Sequence, residues 1–316
     1  MKSRLFLFII NILIQNDSLL AQNLKQEIGI QTDNDSYLAG GSDRYYTNGI
    51  FIFYNKALNF DREKKNKLEN KIFGIKIVQK IFTPKTININ SIQEIDRPYA
   101  GFLFIEPQLN LLFKNESSIK LSSTIGVIGN KSGAKVVQKT IHNLLGFDEP
   151  RGWENQIEDN YIINFSAEYT KLLIKESSYD LSFNGKVNLG NGFNGTELGP
   201  IIRVGKFNKL FNSMITNSSV YYNNNIKSNY HEFYFYYKPK ILYNVYDATI
   251  QGNMFSKNNQ EIMYTIQPIV FSNQLGVDYR IKHLSASLNI TFQTTDVKRM
   301  RRDYHGWGSI VVSYLF

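Results

Sequence analysis

The chain is predicted to be all-β: one antiparallel transmembrane β-barrel of about 12 strands, with a short helix set into a loop. Three observations predict it. Long segments alternate strictly between polar and apolar residues, the first residues form an export leader, and the last strand closes on an aromatic.

The alternation is repeated and regular. In Ser118–Val127, residues Ile119, Leu121, Ser123, Ile125 and Val127 point one way, and Ser118, Lys120, Ser122, Thr124 and Gly126 the other. Leu181–Leu189 sets Leu181, Phe183, Gly185, Val187 and Leu189 against Ser182, Asn184, Lys186 and Asn188. His283–Phe292 sets Leu284, Ala286, Leu288, Ile290 and Phe292 against His283, Ser285, Ser287, Asn289 and Thr291. Period two sustained over such lengths matches the roughly 9–11 residues of a tilted membrane strand. One face suits lipid and the other a wet lumen.

The leader occupies residues 1–21. Lys2 and Arg4 precede a largely apolar run, Leu5–Ile14, and Ala21 follows as a small-residue cleavage site, so the barrel is assigned to 22–316. The run is too short to span a bilayer as a helix. There are no cysteines, which excludes disulfides, thiolate metal sites and a Cys nucleophile. The formal charge is +9, or +8 once Lys2, Arg4 and Asp17 leave with the leader. An exported protein this basic suits lipid phosphates, while no nucleic-acid module accompanies the charge. The densest basic cluster, Arg62-Glu63-Lys64-Lys65, reads as a solvated loop.

The chain carries 20 Tyr and 22 Phe against 2 Trp, and many cluster near strand ends: Tyr45-Tyr46, Phe51 to Tyr54, Tyr221-Tyr222, and Tyr230 to Tyr237. Such clusters fit interfacial girdles, although a soluble aromatic-rich sandwich shares them. The ending decides between the two. In Ser309–Phe316, residues Ile310, Val312, Tyr314 and Phe316 share a face, and a terminal Phe there is the signal read by outer-membrane assembly machinery. The expected location is the bacterial outer membrane, with the first strand (Leu24–Gln31) pairing with the last (Tyr304–Phe316) because lipid satisfies no open sheet edge.

One segment breaks the β pattern. Gly133–Trp153 has helical spacing, with Val137, Ile141, Leu144 and Leu145 on one side and Gln138 and His142 four apart on a neighbouring face. Asp148 and Glu149 follow as possible metal ligands. Of the four histidines, His142, His231, His283 and His305, only His142 sits on this helix beside carboxylates. Three strand termini are also unusual: Thr32–Ser36 (TDNDS), Asp43–Gly49 (DRYYTNG) and Asp96–Gly101 (DRPYAG). Each alone reads as turn chemistry.

Together and in order, Asn34-Asp35, Tyr46-Thr47-Asn48-Gly49, Asp96–Gly101, the Gln138 to His142 helix, Gly152-Trp153 with Gln156, and His305–Gly308 resemble the outer-membrane lipid A 3′-O-deacylases. The resemblance spans nearly the whole mature chain. It implies a twelve-stranded barrel that removes the 3′-linked acyloxyacyl chain of lipid A by calcium-dependent ester hydrolysis. By position it makes His142, Asn34, Asp35, Thr47 and Gln138 the catalytic elements. It offers Asp148, Glu149 and Asp35 as ligands for Ca2+. Asp148 stands where the family has Glu, one methylene longer, so Glu149 competes for that role. Arg97, Lys80 and Lys85 are candidates for contacting substrate phosphate. The implied partners are lipid A or lipopolysaccharide and the surrounding outer-membrane lipid, with no nucleic acid, for a monomer.

The residues agree with that chemistry. His is the usual base for ester hydrolysis near neutral pH, and calcium takes the oxygen donors that TDNDS and FDE supply. In this reading His142 deprotonates a water and no serine nucleophile is needed. Two rivals remain. An outer-membrane phospholipase would recruit His283 with Ser285 or Ser287, and a porin or structural barrel would make no use of the Gln138/His142 pair.

Overall fold

Strict alternation gives each strand one apolar face and one polar face, and closure into a barrel lets the first meet lipid while the second lines the interior. The computed structural model, which describes residues 24–38, 43–61, 67–89, 91–222, 231–255 and 263–316, shows this arrangement. The strands are β1 (Gln26–Asn34), β2 (Tyr45–Ala57), β3 (Leu68–Thr83), β4 (Ala100–Phe113), β5 (Ser117–Ile128), β6 (Asn160–Lys175), β7 (Tyr179–Gly190), β8 (Phe193–Lys206), β9 (His231–Asp247), β10 (Ile269–Ile281), β11 (Leu284–Thr294) and β12 (Tyr304–Leu315). Each pairs antiparallel with its sequence neighbours, and β1 pairs with β12 in the register Ile28↔Tyr314 to Asn34↔Gly308. The predicted all-β barrel of twelve strands is therefore the observed fold.

The outer wall is apolar in alternate positions: Ile28, Ile30, Ile52, Leu121, Ile125, Leu288 and Val312 are all exposed. The lumen carries the complementary set. Lys76 reaches Glu106 at 3.3 Å, Lys120 reaches Glu168 at 2.5 Å, and Lys186 and Lys240 share Glu197 at 3.6 and 3.0 Å. These pairs cross from strand to strand inside the wall.

At the end holding Leu24 and Phe316, part of the β8–β9 connection folds into the barrel. Leu210–Asn212 and Met214–Thr216 form short 3-10 turns there. Asn70 donates to the carbonyls of Phe211 and Val220 at 3.1 and 2.9 Å, and Asn110 to that of Thr216 at 2.8 Å. Arg203, fully buried, donates to Asp180 and to the Ser213 hydroxyl, which donates to Glu232 at 2.7 Å. This inward plug has no signature in strand periodicity.

The structure also moves several boundaries. The first strand runs three residues past the predicted Gln31, so Thr32 and Asn34 belong to β1. His283 lies in the β10–β11 turn, its Nδ1 2.8 Å from the Leu315 carbonyl, rather than in a strand face. Tyr45, Tyr46, Tyr234 and Tyr236 are buried inside the wall, so only part of the aromatic clustering can serve as girdle. The leader at 1–21, Arg62–Lys65 and Tyr230 lie outside the described residues.

Candidate active site

The predicted helix is present as α1 (Ala134–Leu145), in the β5–β6 connection at the rim opposite the plug. Gly146 at φ 75° ends it in a left-handed turn, and the amide of Phe147 returns to the His142 carbonyl at 2.9 Å. Gly101 of DRPYAG explains how α1 sits so close to the wall: a Cβ there would come within 2.3 Å of the Ala134 Cβ. Val137 packs towards Trp153 and Tyr99, as a core-facing residue should. Leu144, predicted on the same side, is 75% exposed, because the helix meets the barrel along its Ala134–Gln138–His142 edge. That edge is set by polar contacts.

Those contacts form one chain. The Trp153 indole donates to Gln138 Oε1 at 2.8 Å, and Gln138 Nε2 donates to Asp43 Oδ2 at 2.5 Å. Asp43 Oδ2 also lies 2.8 Å from His142 Nε2, while His142 Nδ1 lies 2.6 Å from the Asp148 carbonyl. A carbonyl only accepts, so Nδ1 carries a proton. Nε2 in turn has the Asp43 carboxyl as its hydrogen-bond partner. His142 and Gln138 are both buried.

A second cluster adjoins this one on the β1–β2 side. Asp35 opens a 3-10 turn, Asp35–Leu38, and its Oδ2 accepts from the Arg44 amide at 2.7 Å and the Thr47 hydroxyl at 3.3 Å. A register shift between Tyr46 and Asn48 bulges Thr47 inward to make that contact. Asn34 donates to Asn48 Oδ1 at 2.6 Å and accepts from the Ser36 amide. Asn34 continues the outward series Ile28, Ile30, Thr32, so it stands where β1 leaves the lipid-facing wall.

Burial, reinforced by the negative charge of Asp43, pushes the Asp35 carboxyl up to about 8. Its Oδ1 is buried and accepts no hydrogen bond. A buried carboxyl with an idle oxygen, beside the acidic side chain of Asp43, suits a hard divalent cation taking oxygen ligands. Among the described residues no three acidic or His side chains surround a single point, so Asp35 and Asp43 would need carbonyl, amide or water oxygens to complete a calcium shell.

The structure thus brings Gln138 and His142 together through Asp43, and Asp35, Thr47 and Asn34 together beside them. Asp148 contributes its carbonyl to His142, and its side chain is exposed. Glu149 is exposed and pairs with Lys139 at 2.5 Å, away from Asp35. Arg97 is fully buried, 3.5 Å from Asp296 and 3.1 Å from the Thr249 hydroxyl, so it braces loops and has no path to a substrate phosphate. Lys80 lies over the Tyr46 and Phe51 rings, while Lys85 gives its backbone amide to Asp96. Asp43, which the sequence alone did not single out, is the residue that joins Gln138 and His142. It opened the DRYYTNG segment, but its distance of 99 positions from His142 left no local signal.

The sequence matches the outer membrane protein LpxR family over residues 5–316. Among solved structures, LpxR from Salmonella typhimurium is similar at 19% identity, covering 92% of this chain and 100% of that one with a TM-score of 0.72. The translocator domain of the autotransporter NalP from Neisseria meningitidis aligns at 8% identity and a TM-score of 0.47, over 100% of this chain and 96% of that one. Among curated proteins none matches.

Proposed function

The chain belongs to the LpxR family of outer-membrane proteins, and from that premise we propose that it is a lipid A 3′-O-deacylase. The observation that carries this reading is the Gln138–Asp43–His142 chain buried at a rim whose neighbouring Asn34 ends a lipid-facing strand. A lipid can present an ester there from the side, without entering the lumen.

In the proposed reaction His142 is the general base. The Asp148 carbonyl fixes the ring through Nδ1, which leaves Nε2 as the atom that takes a proton from the attacking water. The base form is the neutral ring protonated at Nδ1 alone: any proton on Nε2 first leaves to solvent, and Nε2 then takes one from the attacking water. Gln138, held by Trp153, keeps Asp43 in position. Thr47 and Asn34 supply the neutral polar groups around the reacting ester. Ca2+, which we place at Asp35 and Asp43, would supply charge stabilisation for the developing oxyanion. Asp148 and Glu149 serve at most as outer ligands, since Glu149 is already paired with Lys139.

The test is mass spectrometry of lipid A from cells expressing the wild-type protein and His142→Ala. Loss of the 3′ acyl group with wild type, and at least a roughly 100-fold slower loss with the variant, is expected for removal of a general base. Chelation should reproduce the variant and added calcium should reverse it. Unchanged lipid A with abundant folded wild-type protein in calcium would favour the porin reading.

A further inference from the structure

The lipid-facing wall beside the rim carries a groove of about 450 Å³, lined by Tyr37, Leu275, Leu288, Ile290, Gly308 and Ile310 among others. Its volume lies within the roughly 300–1,000 Å³ typical of ligand pockets. The leucines and isoleucines are between 36% and 54% exposed, so no described part of the chain covers them fully.

Strand register connects the groove to the candidate site. Asn34 pairs with Gly308, Gly308 with Ile290, and Ile290 with Leu275. One step along, Thr32 pairs with Ile310, Ile310 with Leu288, and Leu288 with Val277. The groove occupies the β12, β11 and β10 part of these two adjacent cross-strand rows, whose first residues, Asn34 and Thr32, lie at the end of β1 just beyond its lining. At about 4.8 Å per strand step, each row extends about 14 Å. Its head is roofed by Tyr37, two residues after Asp35 and in the same 3-10 turn. The Tyr37 hydroxyl lies 3.1 Å from the Thr32 hydroxyl, folding the ring back over the wall. Gly308 makes room for it: a Cβ at 308 would meet the Tyr37 Cβ at 2.8 Å.

We propose that this groove is the acyl-chain subsite: a hydrocarbon tail of the substrate lipid lies along the Asn34–Gly308–Ile290–Leu275 row under Tyr37, placing its ester at Asn34 and Asp35. The proposal rests on the deacylase reading and extends it to substrate selection. Past Asn34 and Thr32 the rows are apolar, and the first of them ends on a residue of the candidate site. A tail seated there exchanges fluid lipid neighbours for an ordered wall of fixed length, so the groove measures chain length.

Leu275→Trp and Val277→Trp, outside the reacting groups and at the far β10 end of the two rows, would block the end of the groove that only the longer chain reaches. Purified full-length protein would be assayed on lipid A bearing tetradecanoyl or decanoyl 3′ chains, with heat-modifiability on gels as the check of folding. The expected result is a rise of about tenfold in KM for the long-chain substrate, little change for the short one, and an unchanged kcat for the short one. Equal preference in wild type and both variants, or an equal loss on both substrates, overturns the groove while leaving the deacylase reading standing. No turnover of either substrate by wild type overturns the deacylase reading. As a second measurement, a lipid A analogue with a photoreactive acyl terminus should label β10 or β11 peptides in His142→Ala, and labelling confined to other strands also overturns the groove.

Discussion

Asp43 Oδ2 lies 2.8 Å from His142 Nε2 and receives Gln138 Nε2 as well, so one carboxylate oxygen joins the β1–β2 connection to both functional side chains of α1. The contact orients the ring and sets an acidic side chain against the atom proposed as the base. Replacing Asp43 with Asn keeps the size and an oxygen that can still face both Gln138 Nε2 and His142 Nε2, but removes the carboxylate's negative charge. Asp43→Asn is expected to cut lipid A deacylation by roughly 100-fold or more, within the range for disabled acid–base groups. It should also move the acidic limb of the pH–rate profile. A lower rate with an unmoved profile would make Asp43 a scaffold only.

Trp153 tests how far the chain of contacts reaches. Its indole is fully buried, and its N–H donates to Gln138 Oε1 at 2.8 Å. Trp153→Phe keeps much of the ring volume and its stacking on Tyr99, whose centroid is 4.8 Å away. What it removes is the hydrogen bond, leaving a buried acceptor without its donor at about 1–3 kcal/mol. A fall in kcat of about tenfold with an unchanged KM is expected, measured on lipid A micelles. An unchanged kcat would show that Gln138 holds its orientation without the indole.

The barrel was legible because its information is local. Alternation within Ser118–Val127 or Leu181–Leu189 needs no partner to be read, and both segments lie inside observed strands, β5 and β7. The α1 helix and its Gln138/His142 face were legible for the same reason. What escaped was relational. Asp43 becomes functional only when the rim brings it to α1. Leu144 is exposed because polar contacts, rather than its own periodicity, set the helix orientation. The plug escaped too, since residues such as Asn70 and Asn110 look like ordinary lumen positions until they bind the carbonyls of Phe211 and Thr216. Glu149, adjacent in sequence to Asp148, turns outward to Lys139, a choice no spacing rule contains.

Asp35 gives the fold a pH dependence with a definite sign. Its carboxyl is raised from the ordinary 3.8 to about 8, by burial first and by Asp43 second. The folded state therefore holds a proton that the unfolded chain releases above pH 4. Stability from this group is full below about 4 and is lost as pH rises towards 8, at up to about 1.4 kcal/mol per pH unit. Metal-free protein should show its unfolding midpoint falling between pH 5 and 8, and Asp35→Asn should flatten that slope. Added calcium should flatten it as well if Asp35 is a ligand. A wild-type slope unaffected by either change would remove Asp35 from both roles.

The plug separates this barrel from a porin in a way that can be measured directly. Arg203 donates through Nε to Asp180 Oδ1 at 3.0 Å and through Nη1 to Ser213 at 2.8 Å, with both charged partners fully buried. The Ser213–Glu232 contact then ties the turn to β9. Together with the Lys–Glu pairs higher in the lumen, the plug leaves side chains and backbone where a channel would need continuous water. Wild-type protein reconstituted in planar bilayers should give no steady conductance. Arg203→Ala strands the Asp180 carboxylate, which costs roughly 3–5 kcal/mol when a buried pair loses one partner. The plug should then detach for part of the time, giving intermittent openings and a lower unfolding temperature. Lipid A deacylation should change far less, because α1 and Asp35 lie at the opposite rim. Steady porin-like conductance from the wild type would show that the connection does not seat as the structure has it, and would return the transport reading to first place.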